Sequence, residues 1–279
     1  SAAAWSSVDG EVWRRAAHDE AVFDGSGEQR MDAVTVRSGG AGWVAVGSSA
    51  GGDGADGGGD GLDAAVWQSL DGLAWTRVPD DGALGGPGDQ RLVDVVAGPG
   101  GLVAVGSDGE SAAAWTTTDA TAWTRVDLGP GQGSGIAPGP EVGLLTVGST
   151  GGDGLEGMVW RSGDAAAWEG VEGGELSGPL DQELAAVAVV EEVAVAVGRT
   201  NLGGGDDAAA WASGDGGITW TRSPHLEEVF GGDQAQRMLD LATLEGLVVA
   251  VGWSGSTPEA RDAAVWITDL AGGGASSNL

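Results

Sequence analysis

Short apolar runs closing on glycine recur along the chain. Val44–Gly47, Val103–Gly106, Leu145–Gly148, Val195–Gly198 and Val249–Gly252 all read Val-Ala-Val-Gly or a near variant. Runs this short and this continuously apolar predict strands buried on both faces. About ten residues earlier lies a second apolar segment, seen in Met31-Asp-Ala-Val, Leu92-Val-Asp-Val and Met238-Leu-Asp-Leu. A third phrase, small-small-x-Trp, ends at Trp5, Trp67, Trp115, Trp160, Trp211 and Trp266, and five of these are followed by a second tryptophan at Trp13, Trp75, Trp123, Trp168 and Trp220. Each unit of about fifty residues therefore carries four strands: A (Met31 type), B (Val-Ala-Val-Gly), C (first Trp) and D (second Trp).

Between the paired tryptophans lies a turn, as in Ser7-Val-Asp9-Gly10, Ser69-Leu-Asp71-Gly72, Thr117-Thr-Asp119-Ala120, Ser162-Gly-Asp164-Ala165 and Ser213-Gly-Asp215-Gly216. Asp can accept hydrogen bonds from backbone N–H groups inside such a turn, and Gly supplies a positive φ, so C and D form a β-hairpin. Four antiparallel strands per unit, repeated along the chain, are the signature of β-propeller blades. A β-solenoid needs shorter coils and parallel pairing. The expected fold is all-β, a five-bladed β-propeller of four-stranded antiparallel blades forming one domain over residues 1–279, with 268–279 a flexible tail.

Strands A and B occur five times, C six and D five. The hairpin of residues 2–15 is therefore expected to join the A and B strands of the C-terminal unit and close the ring; a six-bladed ring is the alternative. One C strand, Ala2–Trp5 or Ala263–Ile267, is then surplus. It is either a tail packed on the closing blade or a strand exchanged with a neighbouring subunit.

At its hairpins the sequence resembles the Asp-box (bacterial neuraminidase) repeat family. The family pattern Ser-x-Asp-x-Gly-x-Thr-Trp is met in full by Ser213-Gly-Asp215-Gly-Gly217-Ile-Thr219-Trp220, and the other boxes are one residue shorter. The resemblance implies a propeller whose boxes sit at the C–D turns, away from the catalytic face, and serve structure. Sialidases, photosynthesis assembly factors and secreted carbohydrate-active proteins carry such boxes. It also implies, for a sialidase, a Tyr nucleophile with a Glu partner and three Arg clamping a carboxylate. This chain has no Tyr, so the expectation is not a sialidase of that mechanism.

Composition narrows the partners. A formal charge of −30, with every basic residue an Arg, repels nucleic-acid phosphates and anionic lipid. The most apolar stretch, Leu184 to Gly198, is broken by Glu191 and Glu192, and no run reaches the ~18 residues that span a bilayer. Absence of Cys rules out disulfides and thiolate metal sites, and absence of Lys rules out a Walker loop. The Gly-rich, acidic composition and the Asp-box resemblance together point to a secreted or surface-attached bacterial protein. The chain opens at Ser1, in what already reads as a strand, which suggests a processed N-terminus.

Candidate chemistry clusters in the loops. The D–A loops repeat Phe or Leu, x, Gly and then Gln: Phe23…Gln29, Leu84…Gln90, Leu176…Gln182 and Phe230…Gln236, with Arg following at Arg30, Arg91 and Arg237. A ring of Gln29, Arg30, Gln90, Arg91, Gln236 and Arg237 could recognise a carboxylate or sugar hydroxyls; the plainer reading is that Gln ties loop backbone and Arg pairs with nearby Asp or Glu. The B–C loop from Gly51 to Asp63 contains Gly-Gly-x-Gly-x-Asp and offers Asp53, Asp56, Asp60 and Asp63 as oxygen ligands for Ca2+, or is simply a solvated loop. His18 and His225, each followed by a Glu two residues later, could ligate a transition metal if they met. Trp43 and Trp253 lie outside the repeated phrases and could stack on a sugar. The function expected is that of an extracytoplasmic binding module, its partner a protein or a carbohydrate. The rivals are a structural subunit joined by strand exchange and a hydrolase using a carboxylate pair.

Overall fold

The computed structural model describes residues 1–24, 27–37, 42–50, 61–80, 82–139, 143–151, 154–201, 205–257 and 260–270. A hairpin of β1 (Trp5–Ser6) and β2 (Arg14–Arg15) is followed by a helical turn, α1 (Glu20–Phe23). Blade one is β3 (Gln29–Val36), β4 (Trp43–Ala50), β5 (Leu62–Ser69) and β6 (Trp75–Arg77); blade two is β7 (Gln90–Gly98), β8 (Gly101–Asp108), β9 (Ser111–Thr117) and β10 (Thr124–Pro130). Blade three is β11 (Gln132–Gly139), β12 (Gly143–Thr150), β13 (Glu156–Ser162) and β14 (Glu169–Val171). Blade four, after a 3-10 turn at Gly174–Leu176, is β15 (Gln182–Val190), β16 (Val193–Asn201), β17 (Asp206–Ser213) and β18 (Thr221–Arg222). A second helical turn, α2 (Glu227–Phe230), leads to blade five: β19 (Ala235–Leu244), β20 (Leu247–Gly255) and β21 (Arg261–Asp269). The fold is an all-β, five-bladed β-propeller, each blade antiparallel with its strands in chain order. No helix among the described residues is long and apolar enough to cross a membrane.

The glycine that ends each Val-Ala-Val-Gly phrase has a steric cause. Strand A shifts register against strand B between Met31 and Ala33, Leu92 and Asp94, Leu184 and Ala186, and Met238 and Asp240. These β-bulges push the carbonyl oxygens of Arg30, Arg91, Glu183 and Arg237 against Gly47, Gly106, Gly198 and Gly252, where any Cβ would land on them. The bulge turns strand A at the residue where the D–A loop delivers its charged side chain.

The Asp boxes form as expected. In blade one Ser69 Oγ accepts from Gly72 N at 2.8 Å, and Asp71 Oδ1 accepts from Leu73 N and Ala74 N at 2.8 Å. Trp75 Nε1 donates to Gly72 O at 3.0 Å. Backbone donors hold the Asp71 carboxyl below the usual range. In the full-length box the Thr219 hydroxyl donates to Asp215 at 2.6 Å; with the Thr219 and Ile218 N–H groups it lowers that carboxyl from 3.8 to about 2.

The chain divides into two compact units, one built on Ser1–Gly133 and the other on Ser134–Gly163 with the residues from Ala167 on. In the first, Trp115 and Trp123 of blade two pack on Val44, Val46 and Val66 of blade one. Ala2 and Ala16 of the hairpin region cover Trp67 and Trp75 of blade one in the same way. In the second, Trp211 and Trp220 of blade four pack on Val147 and Val159 of blade three, and blade five meets Val195 and Val197 of blade four. Within each unit the arrangement recurs: the C and D tryptophans of blades two and four seat on B and C apolar residues of the blade before. The C-strand indoles also clamp the preceding loop, Trp67 donating to Val22 O (2.7 Å), Trp115 to Ala83 O (2.8 Å), Trp211 to Glu175 O (2.9 Å) and Trp266 to Val229 O (2.7 Å).

Blade five departs from expectation. Its sheet has three strands, and the β1–β2 hairpin forms a two-stranded sheet of its own among the described residues instead of joining strands A and B of the C-terminal unit. The segment read as surplus is the reason: β21 pairs with β20 in unbroken register from Leu247↔Asp269 to Gly255↔Arg261, occupying that edge. Strand β21 also carries residues 268 and 269 of the expected tail, while 271–279 fall outside the described residues. Beside Trp266 an open apolar cleft of about 520 Å³ lies between Val197, Ala210, Val248 and Ile267. In complete blades a D-strand tryptophan accompanies the C-strand indole, as Trp220 does Trp211.

Candidate functional site

The D–A glutamines turn inward. Gln29 is buried and accepts from Arg77 at 3.2 Å, while Arg77 also donates to Ser49 Oγ at 3.0 Å. Gln90, fully buried, donates to Pro87 O at 3.0 Å and to Asp108 at 2.9 Å, and Asp108 in turn holds Arg125 at 3.2 Å. Gln236 donates to Gly231 O. Each glutamine ties its own loop backbone or a neighbouring strand end.

Of the arginines that follow them, Arg30 pairs within its own strand, while Arg91 and Arg237 meet partners across blades. In the first unit Asp32 takes Arg30 Nε at 2.5 Å and Arg91 at 3.4 Å. Asp32 Oδ2 and Arg91 Nε are buried without a hydrogen-bond partner among the described residues. In the second unit four charges alternate. Arg199 donates through Nε to Glu183 at 2.9 Å and through a terminal nitrogen to Asp206 at 2.7 Å. Arg237 reaches the same two carboxylates at 3.3 and 3.4 Å. Arg199 is the buried anchor, its side chain 11% exposed, whereas Glu183, Asp206 and Arg237 are each about a quarter exposed. Arg237 Nε, buried, has no partner among the described residues. Trp253 stands directly across from Arg237 in the β19–β20 register, with the Arg261 guanidinium 3.8 Å over its ring.

This box is where the repeat breaks. The residue after the closing glycine of strand B is Ser48, Ser107 and Ser149 in blades one to three, but Arg199 in blade four and Trp253 in blade five. The register pairs Arg30 with Ser48 and Arg91 with Ser107, yet Glu183 with Arg199 and Arg237 with Trp253. The glutamine phrase drew attention to Arg237 alone. Glu183, Arg199 and Asp206 were missed, although the Ser-to-Arg-to-Trp change after the glycine was a readable signal. Chemically the box is an alternating edge of donors and acceptors, able to bind adjacent hydroxyls in bidentate fashion, beside an aromatic residue.

The other candidates separate. Of the four proposed calcium ligands Asp53, Asp56 and Asp60 lie outside the described residues. Asp63 is the second residue of β5, where burial and the charge of Asp80 raise its carboxyl above the ordinary value and Arg77 partly offsets this. Among the described residues no three His, Asp or Glu side chains are grouped to hold a metal ion. His18 pairs with Asp24 at 2.9 Å and His225 with Glu227 at 3.0 Å, each a carboxylate of its own loop. Burial raises the Asp207 carboxyl, with His225 pulling the other way. Trp43 opens β4 opposite Ser69, at the Asp-box end of blade one and at the far end of that strand from Ser48.

No family model matches the sequence, and no curated protein is significantly similar to it. Solved structures do share its fold. A Penicillium chrysogenum alpha-L-arabinanase complexed with arabinobiose aligns over 95% of this chain and 84% of its own, at 16% identity and a TM-score of 0.51. A Trypanosoma rangeli sialidase in complex with sialic acid aligns over 96% of this chain and 49% of its own, at 14% identity and a TM-score of 0.51. The chain has a sialidase-like β-propeller fold. At these identities the likeness is one of fold.

Proposed function

We propose that this chain is an extracytoplasmic binding propeller without catalytic activity, and that it engages a saccharide at the box formed by Glu183, Arg199, Asp206 and Arg237, flanked by Trp253. The observation that carries this reading is the repeat break. Blades one to four keep the Asp box and blades one, two, four and five keep the loop glutamine, whereas only blades four and five replace the serine after strand B, with Arg199 and Trp253. A repeat conserves what every blade needs; a ligand needs something local. Paired carboxylates and guanidinium groups hold sugar hydroxyls as acceptor and donor, and the half-buried Trp253 indole adds an apolar surface. The kind of ligand is supported by the two solved propellers, whose complexes contain arabinobiose and sialic acid.

Lack of turnover is supported by the same geometry. A glycosidase sets two carboxyl groups across the scissile bond, one delivering a proton. Glu183 and Asp206 are both engaged by both arginines, an arrangement suited to recognition rather than to proton donation. Screening the full chain against immobilised poly- and oligosaccharides, alongside chromogenic glycosides, tests both halves. Retention of one saccharide class without release of chromophore is expected. Sustained glycoside cleavage would establish the hydrolase instead, and failure to retain any saccharide would remove the ligand class.

A further inference from the structure

The hydrogen-bonding capacity left open in the box of Glu183, Arg199, Asp206 and Arg237 is unevenly divided between donors and acceptors. An ionised carboxylate has about four acceptor positions and no donor, while a guanidinium has a fixed fork of N–H donors and no acceptor. Arg199 spends Nε on Glu183 and a terminal nitrogen on Asp206, and little of the remainder of its side chain is exposed. Arg237 spends both terminal nitrogens, Nη1 on Glu183 Oε1 at 3.4 Å and Nη2 on Asp206 Oδ2 at 3.4 Å, and its Nε is buried. The guanidinium groups are thus largely committed to the two acids. Glu183 and Asp206, each about a quarter exposed, keep acceptor positions beyond those the arginines fill. A ligand at this box therefore meets mainly acceptors and has to bring donors.

Charge around the box agrees. Two carboxylates and two guanidinium groups cancel within it. Asp207 lies within reach of the charges of Asp206, Glu227 and His225, and His225 pairs with Glu227 at 3.0 Å. On the Trp253 side the Arg261 guanidinium lies 3.8 Å over the indole, and the next residue, the exposed Asp262, carries the opposite sign. The whole stands in a chain of net charge −30. An anionic ligand would have to rely on Arg261 against this field.

We propose that the box selects uncharged saccharides and discriminates against acidic ones. Sugar hydroxyls bring the protons that Glu183 and Asp206 can accept, whereas a ligand carboxylate or sulfate brings more acceptors and a like charge. The proposal rests on the saccharide reading above and narrows it: neutral sugars with adjacent hydroxyls fit, and uronates and sulfated sugars do not.

Binding of the full chain to a glycan array at about pH 7, where sugar carboxyls are ionised, tests it. The array carries neutral oligosaccharides, oligogalacturonates, glucuronans, the methyl esters of both uronates, and sulfated galactans. Neutral glycans or methyl esters are expected to bind about tenfold or more tightly than the free acids. Their affinity should change less than about twofold between roughly 0.02 and 0.5 M NaCl, since an uncharged ligand offers salt nothing to screen. Asp206→Asn and Glu183→Gln, each checked by a thermal melt, remove one like charge and release guanidinium donors. Either should narrow the preference to about threefold or less. Free acids bound as tightly as their methyl esters overturn the proposal and leave the saccharide reading standing; loss of that binding in Arg261→Gln would trace it to the exposed guanidinium. A preference unchanged in both variants also overturns the proposal, by placing the selectivity elsewhere. Retention of no glycan on the array removes the saccharide reading and the proposal with it.

Discussion

Blades four and five are written in nearly the same letters and live in different surroundings. Val195-Ala-Val-Gly198 and Val249-Ala-Val-Gly252 both form strand B, both face a bulged strand A, and both end on a glycine that a carbonyl crowds. Yet Val197 is 2% exposed and its counterpart Val251 is 43% exposed, because blade five packs on the face of blade four that carries Val197. A repeat phrase encodes a strand and its register; burial is decided by what stacks on it. Stability should therefore be unevenly spread over residues that look equivalent in sequence.

Charge insertion separates the two blades most strongly. Val197→Asp places an unpaired carboxylate in the packed junction and is expected to cost more than about 4 kcal/mol, enough to prevent folding of a marginal domain. Val251→Asp, at 43% exposure, should stay within about 1 kcal/mol of the parent in urea denaturation. Equal costs would mean that both faces of blade five are covered. The tryptophans give the next contrast. Trp211→Ala opens a cavity in a fully buried cluster and should cost about 3–5 kcal/mol, whereas Trp266→Ala, half-buried beside an existing cleft, should cost roughly half as much.

These contrasts show what the sequence could and could not disclose. Tryptophan spacing and the Asp-Gly turns specified five blades, their strand order and the hairpin geometry, because hydrogen bonds within a few residues decide those features. The fate of Ala263–Ile267 was not legible: as a C strand it could pair with β20 or leave that edge to the N-terminal hairpin, and the choice depends on which of two similar strands wins one edge. The glutamines were found by their repetition, and repetition reflected their role in tying loops, as Gln90 shows. Glu183 and Asp206 belong to a site that depends on contacts between blades more than twenty residues apart, which no local spacing announces.

The smallest contrast is electrostatic. The Asp215 carboxyl is depressed to about 2 in the folded chain against an ordinary value of 3.8. Its stabilising contribution is thus complete above the ordinary value and is lost as pH falls toward 2. Asp215→Asn should be less stable than the parent at pH 7, and the gap should close between pH 4 and pH 2; a gap that persists at pH 2 would assign the effect to packing instead of ionisation.

The account's central claim is that recognition sits where the repeat breaks, and two arginines at equivalent repeat positions test it. Calorimetric titration of the retained saccharide into Arg237→Gln and Arg91→Gln, with melting curves confirming both folds, compares the broken site with the regular one. Loss of a charged hydrogen-bonding group should weaken binding of the Arg237 variant about ten- to hundredfold and leave the Arg91 variant near the parent. Equal loss in both, or loss only on changing Arg91, would contradict the assignment and return the ligand to the regular face of the repeat.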